Sequence, residues 1–116
     1  MQPINLADKL ALFSTPWSPG IVGTFNGHDL VVVKVLGEFV CHDHPETDDF
    51  FMVLSGEFVI DRPDGAVTLR PGEAFVVPKG MQHRPRVKVE THLLLIEPAG
   101  TPNTGDPKTA AVKVPA

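Results

Sequence analysis

The fold class this sequence predicts is all-β: a barrel of about nine or ten short antiparallel strands in one domain. Three observations carry that expectation. Twelve prolines and ten glycines among 116 residues argue for many tight turns and against a helical bundle. The apolar residues fall in short runs of strand length bounded by those turn formers. Asn26-Gly27, the strongest short hairpin signal, stands between two such runs.

Taken in order, residues 1–20 read as a helix and connector, 21–98 as the barrel and 99–116 as an extended or partly disordered tail. In the first segment, Asn5 can cap a short helix over 5–13, Asp8 suits its first turn, and Leu6, Leu10 and Phe13 share a face. The helix is expected over one barrel opening or edge, with a dimer arm as the alternative. Pro16, Pro19 and Gly20 end it. Ile21–Leu36 forms a hairpin whose second arm, Leu30–Leu36, is nearly all apolar. Both its faces then need cover, from the barrel interior and from a second subunit, which predicts a homodimer. Phe39–His44 is the next strand. Phe50–Leu54 and Glu57–Asp61 are expected to pair through Ser55-Gly56. Val67–Leu69, Ala74–Val77, Val87–Val89 and Leu93–Ile96 complete the set. From Pro98 onward the chain offers little to bury.

A net charge of −4 without a basic cluster argues against nucleic acid as a partner. No apolar stretch is long enough to span a bilayer. The single cysteine allows no disulfide framework within the chain, and the start lacks a signal-peptide pattern. The expected compartment is the cytoplasm.

Chemistry concentrates in two stretches, Gly37–Gly56 and Gly72–His83. His42 and His44 stand two apart, so on a strand both imidazoles leave by the same face, about 7 Å apart at Cα. Asp49 opens the following apolar run, and a returning strand would bring it beside them. In the second stretch an apolar strand ends at Pro78, Gly80 permits a tight turn, and His83 follows.

These stretches resemble the paired motifs of the cupin superfamily, specifically the small single-domain cupins often labelled mannose-6-phosphate isomerase-like. Gly37, His42, His44, Gly56, Gly72, Pro78, Gly80 and His83 fit the motifs over roughly residues 37–87. The sequence departs from the pattern at three places: a spacer one residue short after Gly37, Asp49 where the family has Glu, and Val87 where it has Asn. The resemblance implies a double-stranded β-helix, or jelly-roll, barrel with the short N-terminal helix added. It also implies one divalent ion (iron, manganese, nickel, copper or zinc) held by His42, His44, Asp49 and His83. Glu46 and Asp48 are the rivals of Asp49, which could also act through a water or a hydrogen bond to a ligand histidine.

Other residues are weighed against plainer roles. Cys41 is either a soft fifth ligand or a small buried residue on the outer face, the second being preferred by strand alternation. His92 is placed in the pocket as a proton carrier or on the sheet surface. His28 reads as an exposed turn residue. Arg84 and Arg86 either flank the opening, favouring an anionic substrate, or belong to a solvated rim with Glu73 or Glu90 as partners. Phe51, Met52 and Phe75 are core or pocket wall. Three functions follow: a metalloenzyme on a small polar or anionic molecule, of dioxygenase or isomerase type; a non-catalytic binding or sensing protein; or a structural metal site. Fold alone does not choose among them.

Overall fold

A computed structural model describes residues 2–101 and 113–116. Its elements are α1 (Leu6–Leu10), β1 (Gly20–Phe25), β2 (His28–Glu38), β3 (Asp49–Ser55), β4 (Phe58–Arg62), β5 (Gly65–Leu69), β6 (Ala74–Val77), β7 (Arg84–Pro98) and β8 (Val114–Pro115). The strands hydrogen-bond in the order β5-β4-β7-β2-β1-β8, with β3 between β7 and β6. The sheet curls without closing, which gives the jelly-roll architecture.

Strand β7 organises the rest. No glycine or proline lies between Arg86 and Glu97, so the two strands expected there run as one. Its first residues pair with β4, its later ones with β3, and it pairs with β2 along both stretches. The registers align Val33, Leu93 and Val53 in one inward row and Val31, Leu95 and Phe51 in the next. Phe58 and Ile60 from β4, Leu69 from β5 and Val77 from β6 join the same core. Phe58 and Ile60 are fully enclosed, each contributing roughly 1.5–3 kcal/mol of burial.

Between β1 and β2, Asn26 and Gly27 both take positive φ, 49° and 77°, as the expected hairpin turn requires. The expected pairing through Ser55-Gly56 does not form: β3 pairs with β6 and β7, and β4 with β5 and β7. Gly56, at φ 92°, is a corner where the chain leaves one end of β7 for the other. Nor is Phe39–His44 a strand. After a register shift between Val35 and Gly37, Gly37 and Glu38 still pair with Val87 and Arg86, and the ladder ends where the Phe39 N–H donates to the Pro85 carbonyl at 2.9 Å. Only the isolated bridge His42↔His83 remains. Eight strands are therefore seen among the described residues.

Asn5 caps α1, its Oδ1 accepting from the Asp8 N–H at 3.0 Å. The helix packs against β2 beside Lys34, whose Nζ donates to the Phe13 carbonyl. It thus lies on the outer sheet face, not over an opening. Val32, outside the inward core, is also fully buried, so this chain covers part of the face assigned above to a second subunit. Much of the predicted tail, residues 102–112, lies outside the described residues. The described end returns as β8, parallel to β1. Among the described residues no helix is long and apolar enough to cross a membrane.

Candidate metal centre

Two backbone clamps bring the candidate ligands together. His42 and His83 exchange both main-chain hydrogen bonds at 2.9 Å, and the Gly80 N–H donates to the His44 carbonyl at 2.8 Å. The loop after β6 is thereby fastened to the segment before β3. Asp49 enters as the first residue of β3. One nitrogen or oxygen from each of His42, His44, Asp49 and His83 lies within 4.8 Å of the others, and all four residues are buried.

Hydrogen bonding fixes two of the rings. Nδ1 of His42 lies 2.8 Å from the Val40 carbonyl and Nδ1 of His83 lies 3.0 Å from that of Met81. With each Nδ1–H donating there, the assigned tautomer turns an Nε2 lone pair into the site. Asp49 Oδ2 stands 3.1 Å from His83 Nε2 and 3.2 Å from His44 Nε2. Acceptor atoms so placed need a shared positive centre. A divalent cation satisfies all of them together, and the borderline donor set of imidazoles and one carboxylate suits a transition metal. The residues present fit such an ion.

Electrostatics agree with that arrangement. Burial lowers the pKa of His42 to about 4, keeping it a neutral ligand at pH 7. Burial also pulls His44 down, but the hydrogen bond to Asp49 and its charge outweigh burial and leave His44 raised. Burial pushes Asp49 up, but the adjacent His44 and His83 rings more than reverse this and hold Asp49 below the usual carboxylate range.

His42, His44 and Asp49 lie on the wall of an open cavity of about 50 Å³ whose remaining lining is mostly apolar. Trp17, Phe39, Phe51 and Phe58 supply its aromatic surface. Trp17 stacks on Phe39 at 4.6 Å and donates its Nε1–H to the Leu36 carbonyl. Of the predicted pocket residues, Phe51 lines this cavity and three others lie elsewhere. His92 falls out of phase with inward Leu93 and Leu95; it faces α1 and pairs with Glu90 at 3.2 Å. Phe75 packs against the core edge under Arg62. Arg84 and Arg86 grip Asp61 at 3.2 and 2.7 Å, so they form no cationic rim around the centre. Arg86 first, then Arg84, holds that carboxyl below its ordinary range.

The weaker candidates are accounted for likewise. Cys41 is exposed, not buried, with Sγ 3.4 Å from Gln82 Oε1. His28 is exposed as expected, but it is the first residue of β2 and not part of the turn. Glu46 and Asp48 are exposed, and Asp48 accepts from the Lys79 N–H. Sequence reasoning missed Trp17, Glu97 and Lys113. Glu97 had a findable signal, since it continues the inward alternation of Leu93 and Leu95.

The Cupin_2 family, described as Cupin domain, matches residues 29–97. The chain belongs to the cupin family. The uncharacterized protein YdbB of Bacillus subtilis (strain 168) is 35% identical over 77 residues, covering 66% of this chain and 68% of that protein. A cupin-2 domain protein from Shewanella frigidimarina has 43% identity and a TM-score of 0.81, covering 82% of this chain and 93% of that one. A hydroquinone 1,2-dioxygenase from Sphingomonas sp. TTNP3 shares the cupin fold at 22% identity and a TM-score of 0.70, over 90% of this chain and 32% of that one.

Proposed function

We propose that this cupin is a metal-dependent enzyme acting on a small, mainly apolar molecule, with dioxygenation favoured over isomerisation. The observation that carries the reading is the convergence of three imidazoles and a carboxylate, two of the imidazoles and the carboxylate standing with Glu97 on the wall of a cavity whose other lining is aromatic and aliphatic. A sugar would bring many hydroxyls into that lining, and each buried hydroxyl left unpaired costs about 1–3 kcal/mol. A flat phenol or enol, with one oxygen directed at the centre, leaves few groups unpaired.

In this reading His42, His44, Asp49 and His83 hold the ion, and Val40 and Met81 orient two of the rings. Bound there, a redox-active divalent ion would supply activation of dioxygen. Three neutral imidazoles and one carboxylate leave net positive charge on such a centre, which favours the deprotonated substrate oxygen. The stacked Trp17 and Phe39 give a ring an apolar surface and exclude water. Dioxygenation also balances without an added reductant, because both oxygen atoms enter the substrate and the substrate supplies the electrons.

The test is oxygen consumption by protein loaded anaerobically with ferrous iron, against phenols, enolisable ketones and sugar phosphates. One dioxygen consumed per phenol or enol converted is the expected result. Conversion of sugar phosphates without oxygen uptake would favour isomerisation. Ligand bound tightly and recovered unchanged by mass spectrometry would favour a binding or sensing protein. A metal needed for folding alone would leave a structural site.

The reading extends to a homodimer. Leu30, Ile96, Phe50 and Val76 align across four strands on the outer face, and Val76 is 49% exposed. Light scattering should give twice the chain mass for the wild type and a monomer for Val76→Glu.

A further inference from the structure

Beside the candidate ligands the barrel holds a second buried set of charges. On β2 and β7, Asp29 and Glu97 are register partners, at 6% and 4% exposure. The register of β3 on β7, carried one residue past Phe50↔Ile96, places Asp49 opposite Glu97. All three share the inward phase of their strands. Three carboxylates therefore stand in a row across β2, β7 and β3, and the last is a candidate metal ligand. Such a row in a low-dielectric interior requires counter-charge.

One end is met by the histidines. The other is met by Lys113, just before β8, whose Nζ lies 2.9 Å from Asp29 Oδ2 and 2.9 Å from Glu97 Oε1. Its placement follows from β8: Val114 pairs with Gly20, and the Ala116 N–H donates to the Ile21 carbonyl at 2.8 Å. Glu97 lines the same cavity as His42, His44 and Asp49, but lies outside the group whose ligand atoms converge.

We propose that Glu97 belongs to the metal centre as a carboxylate held just off the ion, and that Lys113, carried by the C-terminal strand, is the counter-cation that holds it there and sets metal affinity. Glu97 contributes negative charge next to Asp49. Lys113 opposes that charge and occupies the Glu97 oxygen that would otherwise turn towards the ion. Both are positioning residues. This rests on the metal-centre reading above.

The two roles have opposite signs, which separates them from a structural effect. Manganese(II) titration of the full chain by calorimetry at pH 7.5 supplies the readout, with melting of the metal-free protein alongside. Glu97→Gln is expected to weaken manganese binding by roughly tenfold and Lys113→Met to tighten it by roughly tenfold, as removal of one near charge of either sign requires. Lys113→Arg, which keeps the charge, should stay within about threefold of wild type. Lower melting temperatures with unchanged affinities, or both affinities moving the same way, would overturn the proposal while leaving the centre intact. A folded wild type that binds no manganese would overturn both.

Discussion

Gly56→Ala probes the corner that sets β3, and with it Asp49, against β7. The backbone at Gly56 has φ 92°, where an L-residue costs roughly 1–2 kcal/mol. A Cβ there would also collide with Thr91 Oγ1 and stand 2.9 Å from the α-carbon of Thr91. Thr91 cannot step aside: it is fully buried, and its Oγ1 accepts from the Glu57 N–H and lies within bonding distance of the Glu57 carbonyl. Overpacking of this kind adds roughly 1–3 kcal/mol, for a sum of about 2–5 kcal/mol with its middle at roughly 3–4 kcal/mol. In a chain of this size that lowers the melting temperature by roughly 10–20 °C. Gly72→Ala is the control, with φ 84° but nothing within 4 Å of the added Cβ, so it should lose only the conformational part. Thermal denaturation followed by circular dichroism measures both. Thr91→Ala should recover part of the Gly56→Ala loss, the clash with the Thr91 main chain accounting for the rest. A Gly56→Ala protein no less stable than Gly72→Ala would refute the packing argument.

Other predictions concern the centre. Asp49→Asn should weaken metal binding by roughly tenfold to a hundredfold, and Asp49→Glu should retain more affinity than Asn; competition with a fluorescent chelator reads both. In the metal-free protein, His42 binds its proton at about pH 4 when folded against 6.5 ordinarily. Between those values the unfolded chain holds the extra proton. Stability therefore falls as pH drops from 6.5 towards 4, by up to about 3 kcal/mol from this group, and urea denaturation across that window should show the decline. The raised pKa of His44 opposes metal binding as pH falls, because the ion must displace its proton. Calorimetric affinities at pH 8 and pH 6 should differ by roughly tenfold in favour of pH 8.

Local signals made the barrel legible. Asn26-Gly27 announced its hairpin, and Ala74–Val77 forms a strand with the bounds its flanking turn residues suggest. The two histidine motifs brought four polar side chains to one point although the segment carrying His42 and His44 is not a regular strand. The i, i+2 spacing sufficed because main-chain bonds to His83 and Gly80 keep that segment extended. Strand partnership was less legible. Ser55-Gly56 reads locally as a hairpin turn, and only the tertiary position of Thr91 makes it a corner. Arg84 and Arg86 reveal an excess of positive charge in sequence but not their partner, Asp61, from a strand more than twenty residues earlier. Lys113 lay in a segment whose composition promised nothing buried. Its two carboxylate partners, register neighbours on β2 and β7, are far from it in sequence.

The central claim is that His42, His44, Asp49 and His83 hold one divalent ion. Elemental analysis of protein purified without added metal, beside a His42→Ala/His44→Ala double variant, tests it most directly. The account predicts close to one transition-metal ion per wild-type chain and loss of that ion from a variant that still folds. Two folded proteins that both lack metal, with a wild type that takes up none on titration, would contradict it.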